Sequence, residues 1–145
     1  MSWPVPQPGL VIRYSYLWEC EAREGREEGL KDRPCAIILV LLREGGAPIV
    51  RVLPVTHSAP ADLADALEIP LATKQRLGLD SDRSWIVLTE ANDFIWPGPD
   101  LRPSVSGDPS SVAYGMLPPG FMKVLRERVA DRWRKAGAKA VPRTK

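Results

Sequence analysis

With 145 residues, of which 44% are hydrophobic and 26% charged, the chain is typical of a single soluble domain with its own core. No apolar run is long enough for a membrane span, and the N-terminus lacks the features of a signal peptide, so we expect a cytoplasmic protein with no membrane partner. The net charge is only +2, but residues 121–145 carry nine Lys/Arg and two acids. Two explanations of this basic segment have about equal weight: it binds a polyanionic partner, or it only contributes to solubility.

The first half of the chain predicts three strands. Residues 10–18 are aromatic and β-branched, which indicates an opening strand, and the charged segment 19–31 is expected to be a mobile loop. The eight apolar residues Cys35–Leu42 predict a buried central strand. A buried helix is the alternative, but Pro34 ahead and two glycines behind favour the strand. Residues 48–56 predict a third strand.

The second half combines short helices and strands. Residues 70–78 have a proline near the start and a glycine at the end, which predicts a short helix. Residues 84–89 predict a fourth strand, and residues 94–96 a further short one. Apolar residues recur at helical spacing between positions 121 and 135, which predicts a terminal helix.

Together these elements predict a mainly β fold with some α-helix. We expect a small, mostly antiparallel β-barrel with one short inserted helix and one helix packed at the end. This single domain would occupy residues 1–135. Residues 136–145 are basic and are expected to form a disordered tail.

The sequence lacks the residues or motifs that several kinds of catalytic site require. The chain has one histidine, His57, and its two cysteines, Cys20 and Cys35, form no CxxC pair, so neither a zinc site nor a disulfide framework is expected. A serine-hydrolase site built on His57 and Ser58 is disfavoured, because adjacent residues at a strand end point apart and no nucleophile elbow is present. No phosphate-binding glycine loop occurs either, and we expect no metal and no cofactor.

Polar residues do collect at the predicted strand ends. If those strands are neighbours, the set can cleave RNA without a metal: a carboxylate or imidazole takes the 2′-hydroxyl proton, and an arginine stabilises the charge on the phosphorane. Taken singly, each residue is explained as well by loop solubility, turn capping or, for the arginine, a pair with a nearby acid such as Asp32. The set comprises Arg33 before the central strand, Thr56, His57 and Ser58 after the third strand, and Glu90, Asn92 and Asp93 after the fourth.

Two motifs resemble the MazF/PemK (Kid) toxin family of bacterial toxin–antitoxin systems. They are Arg33-Pro34 before an apolar strand, and the sequence Leu-Pro-Val-Thr-His-Ser at 53–58. With weaker similarities at 9–12 and 96–101, the resemblance covers residues 9–133. It implies an SH3-like barrel, a homodimer, sequence-selective cleavage of single-stranded RNA and neutralisation by a cognate antitoxin protein.

The resemblance also implies roles for individual residues. Arg33 matches the catalytic arginine, and Thr56 and Ser58 match hydroxyls beside the scissile phosphate. Glu90 lies where PemK-type members carry an acid, which makes it a candidate general base. Glu28 matches a loop glutamate expected to contact the substrate.

Departures from the family pattern leave the general base open. His57 is inserted within the usual pair of hydroxyl residues and is the second candidate, while Glu90 replaces an aspartate. Asn92 and Trp96 are predicted to bind substrate, Trp96 by stacking on bases, although core packing is the commoner fate of an aromatic ring.

Two hypotheses follow. The first is a metal-independent endoribonuclease, the toxin of a type II toxin–antitoxin system. The alternative is a non-catalytic SH3-like barrel that binds RNA or a protein partner, including DNA gyrase as some related toxins do. The two differ in whether a base faces Arg33.

Overall fold

The computed structural model describes residues 2–23, 25, 31–137 and 139–143. It contains eight strands, three α-helices and two short 3₁₀ turns, the turns at Leu63–Asp65 and Pro109–Val112. In chain order the strands and helices are β1 Leu10–Tyr14, α1 Glu19–Arg23, β2 Arg33–Arg43, β3 Gly46–Thr56, β4 Ala66–Glu68, α2 Leu71–Leu77, β5 Trp85–Val87, β6 Glu90–Ile95, β7 Ala113–Met116, α3 Pro119–Ala136 and β8 Lys139–Pro142. None of the helices in the described ranges is both long and apolar enough to cross a bilayer.

The strands form one mainly antiparallel sheet, in the order β4-β5-β3-β2-β1-β7. The long strand β3 pairs along one edge with β2, and along its other edge first with β6 and then with β5. Strand β8 adds to β6 in the parallel direction. The predicted antiparallel β fold with helices is therefore confirmed, but the strand order in the described residues does not close into a barrel.

The centre of the sheet is buried on both faces, which explains its continuous apolar runs. Ala36 and Leu53 pack on one face in a cluster that includes Leu125 of α3, while Cys35 and Val52 pack on the other face with the aromatic side chains of β1 and β6. Successive strand residues point to opposite faces, so both kinds of position must be apolar when both faces are covered. The prediction of a buried central strand holds only for the first half of β2, because its second half runs into an exposed hairpin.

Helix α3 covers one face of the sheet through a narrower stripe than the sequence predicts. Met122, Leu125 and Val129 are buried, whereas Val124, expected in the stripe, is 44% exposed. Trp133, near the end of the helix, donates its indole N–H to the carbonyl of Leu88 at 2.6 Å.

The charged segment expected to be a mobile loop contains helix α1. This helix has little apolar surface of its own, so the burial of an apolar face does not explain why it forms. The backbone N–H of Glu19, at its first residue, donates to the carboxylate of Glu90 at 2.8 Å. A side chain 71 positions away in the chain thus satisfies a donor that the helix itself leaves unpaired.

The prediction of a disordered tail is wrong for residues 139–143. Strand β8 pairs with β6, and the Arg143 side chain that follows it is buried. Its guanidinium lies 3.0 Å from the carboxylate of Asp100 and donates to the carbonyl of Ser15 at 2.8 Å and to Asn92 Oδ1 at 2.9 Å. The local sequence is basic and short of apolar residues, and the groups that hold it lie far away in the chain.

We expect Arg143→Ala to lower the free energy of unfolding by about 3 to 5 kcal/mol, because it removes the buried guanidinium 3.0 Å from the carboxylate of Asp100, which keeps the more distant guanidinium of Arg102 at 3.9 Å. Urea unfolding followed by tryptophan fluorescence measures the change. Arg134→Ala, which removes an exposed arginine paired with Asp131 on α3, should have little effect. Equal stability of the Arg143→Ala variant and the wild type would show that the C-terminal strand does not depend on this ion pair.

Candidate functional site

A cavity of about 490 Å³ lies where β2 begins and β3 ends. Because the two strands are antiparallel, with Cys35 opposite Pro54, the start of one lies beside the end of the other. The structure therefore brings four of the predicted site residues to one cavity: Arg33, Thr56, His57 and Ser58 all line it. Strand-end reasoning from the sequence was sufficient to group these four.

Arg33 lines this cavity and has no carboxylate partner among the residues that the structure describes. One of its terminal nitrogens donates to the carbonyl of Val55 at 3.2 Å, and the centre of the guanidinium lies 4.9 Å from the ring centroid of Trp18. Its Nε–H is buried and has no hydrogen-bond acceptor among the described residues. In the described part of the chain, the side chain is thus held by a carbonyl and a ring.

The acid expected to neutralise Arg33 has other partners. Asp32 lies 3.5 Å from the guanidinium of Arg13 and 3.6 Å from that of Arg102. No carboxylate of the described residues lies within ion-pairing distance of Arg33. The interpretation of Arg33 as an ordinary member of a strand-end ion pair is therefore not supported.

His57 is the second key residue of the cavity, and a carboxylate orients it. Its Nε2 lies 2.8 Å from Oδ2 of Asp80. The other oxygen of Asp80 accepts a hydrogen bond from Lys74 Nζ at 2.6 Å. Asp80 and Lys74 also line the cavity, so imidazole, carboxylate and ammonium form a chain along its wall.

Lys74 is unusual because only 2% of its side chain is exposed. Its ammonium also contacts Ser84 Oγ at 2.6 Å and the carbonyl of Asp82. Contact with Lys74, reinforced by His57, holds the pKa of the Asp80 carboxyl below its usual value, so the carboxylate is ionised at neutral pH. The position of the helix end explains the contact: Gly78 closes α2 in the left-handed conformation, with φ of 73°, and Asp80 follows two residues later.

Sequence reasoning missed Lys74 and Asp80. The sequence predicts the helix that carries the lysine and the turn that carries the aspartate, but a lysine on a short surface helix is normally solvated. The signal available was the pair of acids at 80 and 82 just beyond a glycine-terminated helix. Only the packed structure shows that the lysine points inward.

The group His57, Asp80 and Asp82 also has the composition of a metal site. Possible ligand atoms of the three side chains all lie within 4.8 Å of one another. However, the Lys74 ammonium is bonded to the same aspartate that would have to bind the ion. The positive charge that the carboxylate requires is therefore supplied by the protein itself.

The two hydroxyl residues lie at the rim of the cavity. Thr56 Oγ1 accepts a hydrogen bond from the backbone N–H of Ser58 at 3.1 Å, which turns the chain away from β3. Thr56, Ser58 and Trp18 also line a second cavity of about 360 Å³. The two cavities share these three side chains and form adjoining parts of one groove.

Glu90 does not join this site. Its carboxylate accepts hydrogen bonds from the hydroxyl of Tyr16 at 3.1 Å and from the backbone N–H of Glu19, and it lines a separate cavity. Burial outweighs these hydrogen bonds and raises the pKa of Glu90 above its ordinary value. The structure gives Glu90 a role in holding α1, not one opposite Arg33.

Asn92 and Trp96 are not available to a substrate in the way the sequence predicts. Asn92 is 0% exposed and exchanges two hydrogen bonds with the backbone of Leu17, at 2.8 and 2.7 Å. Trp96 is buried and stacks on Phe94 with ring centroids 6.0 Å apart. The physical reason is that strand β6 already begins at Glu90, four residues before the strand predicted at 94–96, so Asn92 points into the protein. Glu28 lies outside the described residues.

No family model, curated protein or solved structure matches this chain. The similarity to MazF/PemK toxins is thus carried by its short motifs alone and stays a prediction.

The assignment of Glu90 as a buried structural carboxylate predicts how Glu90→Gln changes stability with pH. A glutamine oxygen can accept the same two hydrogen bonds without carrying a charge. Because the pKa of Glu90 is raised, the folded wild type binds its proton more tightly than the unfolded chain does, and its stability falls as the pH rises from the ordinary glutamate pKa through the raised value. The variant should match the wild type in acid and exceed it at neutral pH.

Urea unfolding of both chains across a pH series measures this difference. A wild type more stable than Glu90→Gln at neutral pH would contradict the assignment, since it would mean that the folded structure favours the charged form.

Proposed function

We propose that this protein is a metal-independent endoribonuclease that cleaves single-stranded RNA. The observation that carries the proposal is that Arg33, whose guanidinium has no carboxylate partner within the described part of the chain, shares a cavity with His57, an imidazole oriented by Asp80. This reaction needs two groups from the protein: a cation that binds the phosphate and a base that accepts the hydroxyl proton.

In the proposed reaction His57 takes the proton of a ribose 2′-hydroxyl. The 2′-oxygen attacks the adjacent phosphorus and the bond from phosphorus to the 5′-oxygen breaks, while the departing oxygen takes a proton from solvent. The products are a 2′,3′-cyclic phosphate and a 5′-hydroxyl end. Arg33 donates to the non-bridging oxygens, on which negative charge grows in the transition state.

The surroundings of the cavity support RNA as the substrate. Lys31 at the rim adds a second positive charge beside Arg33, and Thr56 and Ser58 supply hydroxyl groups for phosphate oxygens. The reaction consumes a 2′-hydroxyl, which DNA lacks. A single strand is favoured because its backbone can place the 2′-oxygen in line with the bond that breaks.

The resemblance to MazF/PemK proteins supports a biological setting for this activity. We propose that the protein is the toxin of a type II toxin–antitoxin system, acts on RNA in the cytoplasm as a homodimer and is inhibited by a cognate antitoxin protein. An SH3-like arrangement of the strands belongs to the same proposal.

The first test is incubation of the purified protein with a long RNA of mixed sequence in excess EDTA. We expect discrete fragments with 5′-hydroxyl ends, and Arg33→Ala should lower the cleavage rate roughly 10²–10³-fold, because it removes the group that stabilises the transition-state charge. Arg126→Ala, an exposed arginine of α3, is the matched control and should cleave normally. RNA that is bound but not cut would refute the enzyme and leave a non-catalytic binding protein.

The general base is identified by comparing two further variants. His57→Ala should lower the cleavage rate roughly 10²–10⁴-fold, the usual contribution of a positioned base. Glu90→Gln should cleave like the wild type, because Glu90 lies outside the cavity that holds Arg33. The opposite result, with Glu90→Gln inactive and His57→Ala active, would overturn the assignment.

A further inference from the structure

The chain of contacts beyond His57 is more extensive than a surface histidine requires. His57 and Asp80 are both about half exposed, with side-chain exposures of 56% and 51%, so their contact alone would be weak. The buried ammonium of Lys74 strengthens this contact, because it donates a hydrogen bond to one oxygen of Asp80. The same ammonium also donates to Ser84 Oγ and to the carbonyl of Asp82, which hold it in place. The carboxylate is thereby anchored to the body of the protein.

An anchored carboxylate decides which nitrogen of a neutral imidazole carries the proton. An ionised carboxylate only accepts hydrogen bonds, so the ring nitrogen that faces it must donate. The nitrogen 2.8 Å from Asp80 is Nε2, and Nδ1 has no partner among the described residues. The neutral ring therefore has its proton on Nε2 and its lone pair on Nδ1.

We infer that Asp80, anchored by Lys74, is a positioning residue that fixes His57 in the tautomer whose Nδ1 can accept a proton. This inference rests on the proposed function for its catalytic consequence: Nδ1 is the atom that would take the 2′-hydroxyl proton. Asp80 does not touch the substrate. Lys74 acts one step further away, by holding Asp80 in place.

The arrangement makes a specific prediction for Asp80→Asn. Lys74 can only donate, so it should keep the amide oxygen of the new side chain and leave the amide N–H₂ facing His57. Nε2 would then have to accept, and the ring proton would move to Nδ1. One isosteric substitution should invert the tautomer and remove the lone pair from the reacting nitrogen.

The experiment uses the whole ¹⁵N-labelled chain, in which His57 is the only histidine and gives a single pair of ring nitrogen signals. Long-range ¹H–¹⁵N correlation spectra, recorded at a pH where the ring is neutral, assign the proton to Nε2 or Nδ1. We expect Nε2–H in the wild type and Nδ1–H in Asp80→Asn. Asp131→Asn removes the same charge from the exposed surface of α3, where Asp131 pairs with Arg134 and Lys135, and should keep the wild-type tautomer.

Cleavage of RNA by the same three chains tests the catalytic consequence. We expect Asp80→Asn to cleave roughly 10²–10⁴-fold more slowly than the wild type, because its base is in the wrong tautomer, and Asp131→Asn to cleave normally. A backbone amide spectrum of each variant verifies that it is folded.

Each outcome has a distinct meaning. A wild-type ring with its proton on Nδ1 would overturn the inference and needs no variant. An inverted tautomer with undiminished cleavage would also overturn it, because orientation would not matter for catalysis. If the wild type does not cut RNA, the proposed function fails, and so does the catalytic role of Asp80. The tautomer spectra would still decide separately whether Asp80 orients His57.

Discussion

The antiparallel pairing of β2 with β3 is the constraint on which the candidate site depends. It places Arg33, the first residue of β2, at the same sheet edge as Thr56, the last residue of β3. The sheet is packed on both faces there, so a shift of one residue in register would turn Ala36 and Leu53 to the wrong side. The edge that carries the cavity is therefore held rigidly by the core behind it.

Three partly or fully buried cations of this protein have a carboxylate partner, which Arg33 does not have within the described residues. Arg143 is paired with Asp100, Lys74 with Asp80, and Arg51 with Asp93 through two hydrogen bonds of 2.7 and 2.8 Å. A charge removed from water needs such a partner, because its desolvation is costly. Within the described residues, Arg33 instead contacts one carbonyl and the face of Trp18, which is a weaker form of compensation. An anion bound in the cavity would complete its environment.

The candidate site could be predicted in part, and the residues show where the limit lies. Arg33, Thr56, His57 and Ser58 were grouped correctly because each adjoins a strong apolar run whose strand end is readable locally. Glu90 and Asn92 were expected just before the strand predicted at 94–96, because residues 90–93 are polar, yet they belong to strand β6 beside β3, and Trp96 is buried in the core. In that strand the Asn92 side chain accepts a hydrogen bond from the backbone N–H of Leu17 and donates one to its carbonyl. These bonds form only when the two segments, which are far apart in the sequence, pack together.

The sequence by itself determined the local elements: the apolar strands, the short helix ending at Gly78, the amphipathic terminal helix and the collection of polar residues at one strand edge. Hydrophobic periodicity and turn residues act over a few positions, so they can be read without the fold. The tertiary structure alone decided that the C-terminal segment is a strand, that Glu19–Arg23 is a helix and that Lys74 lies buried beside Asp80. The strand and the helix depend on groups at least 43 positions away in the chain. Arg143, which follows the strand, pairs with Asp100, and Glu19, the first residue of the helix, donates its N–H to Glu90. Lys74 and Asp80 are only six positions apart, but they meet only because α2 packs with its lysine inward.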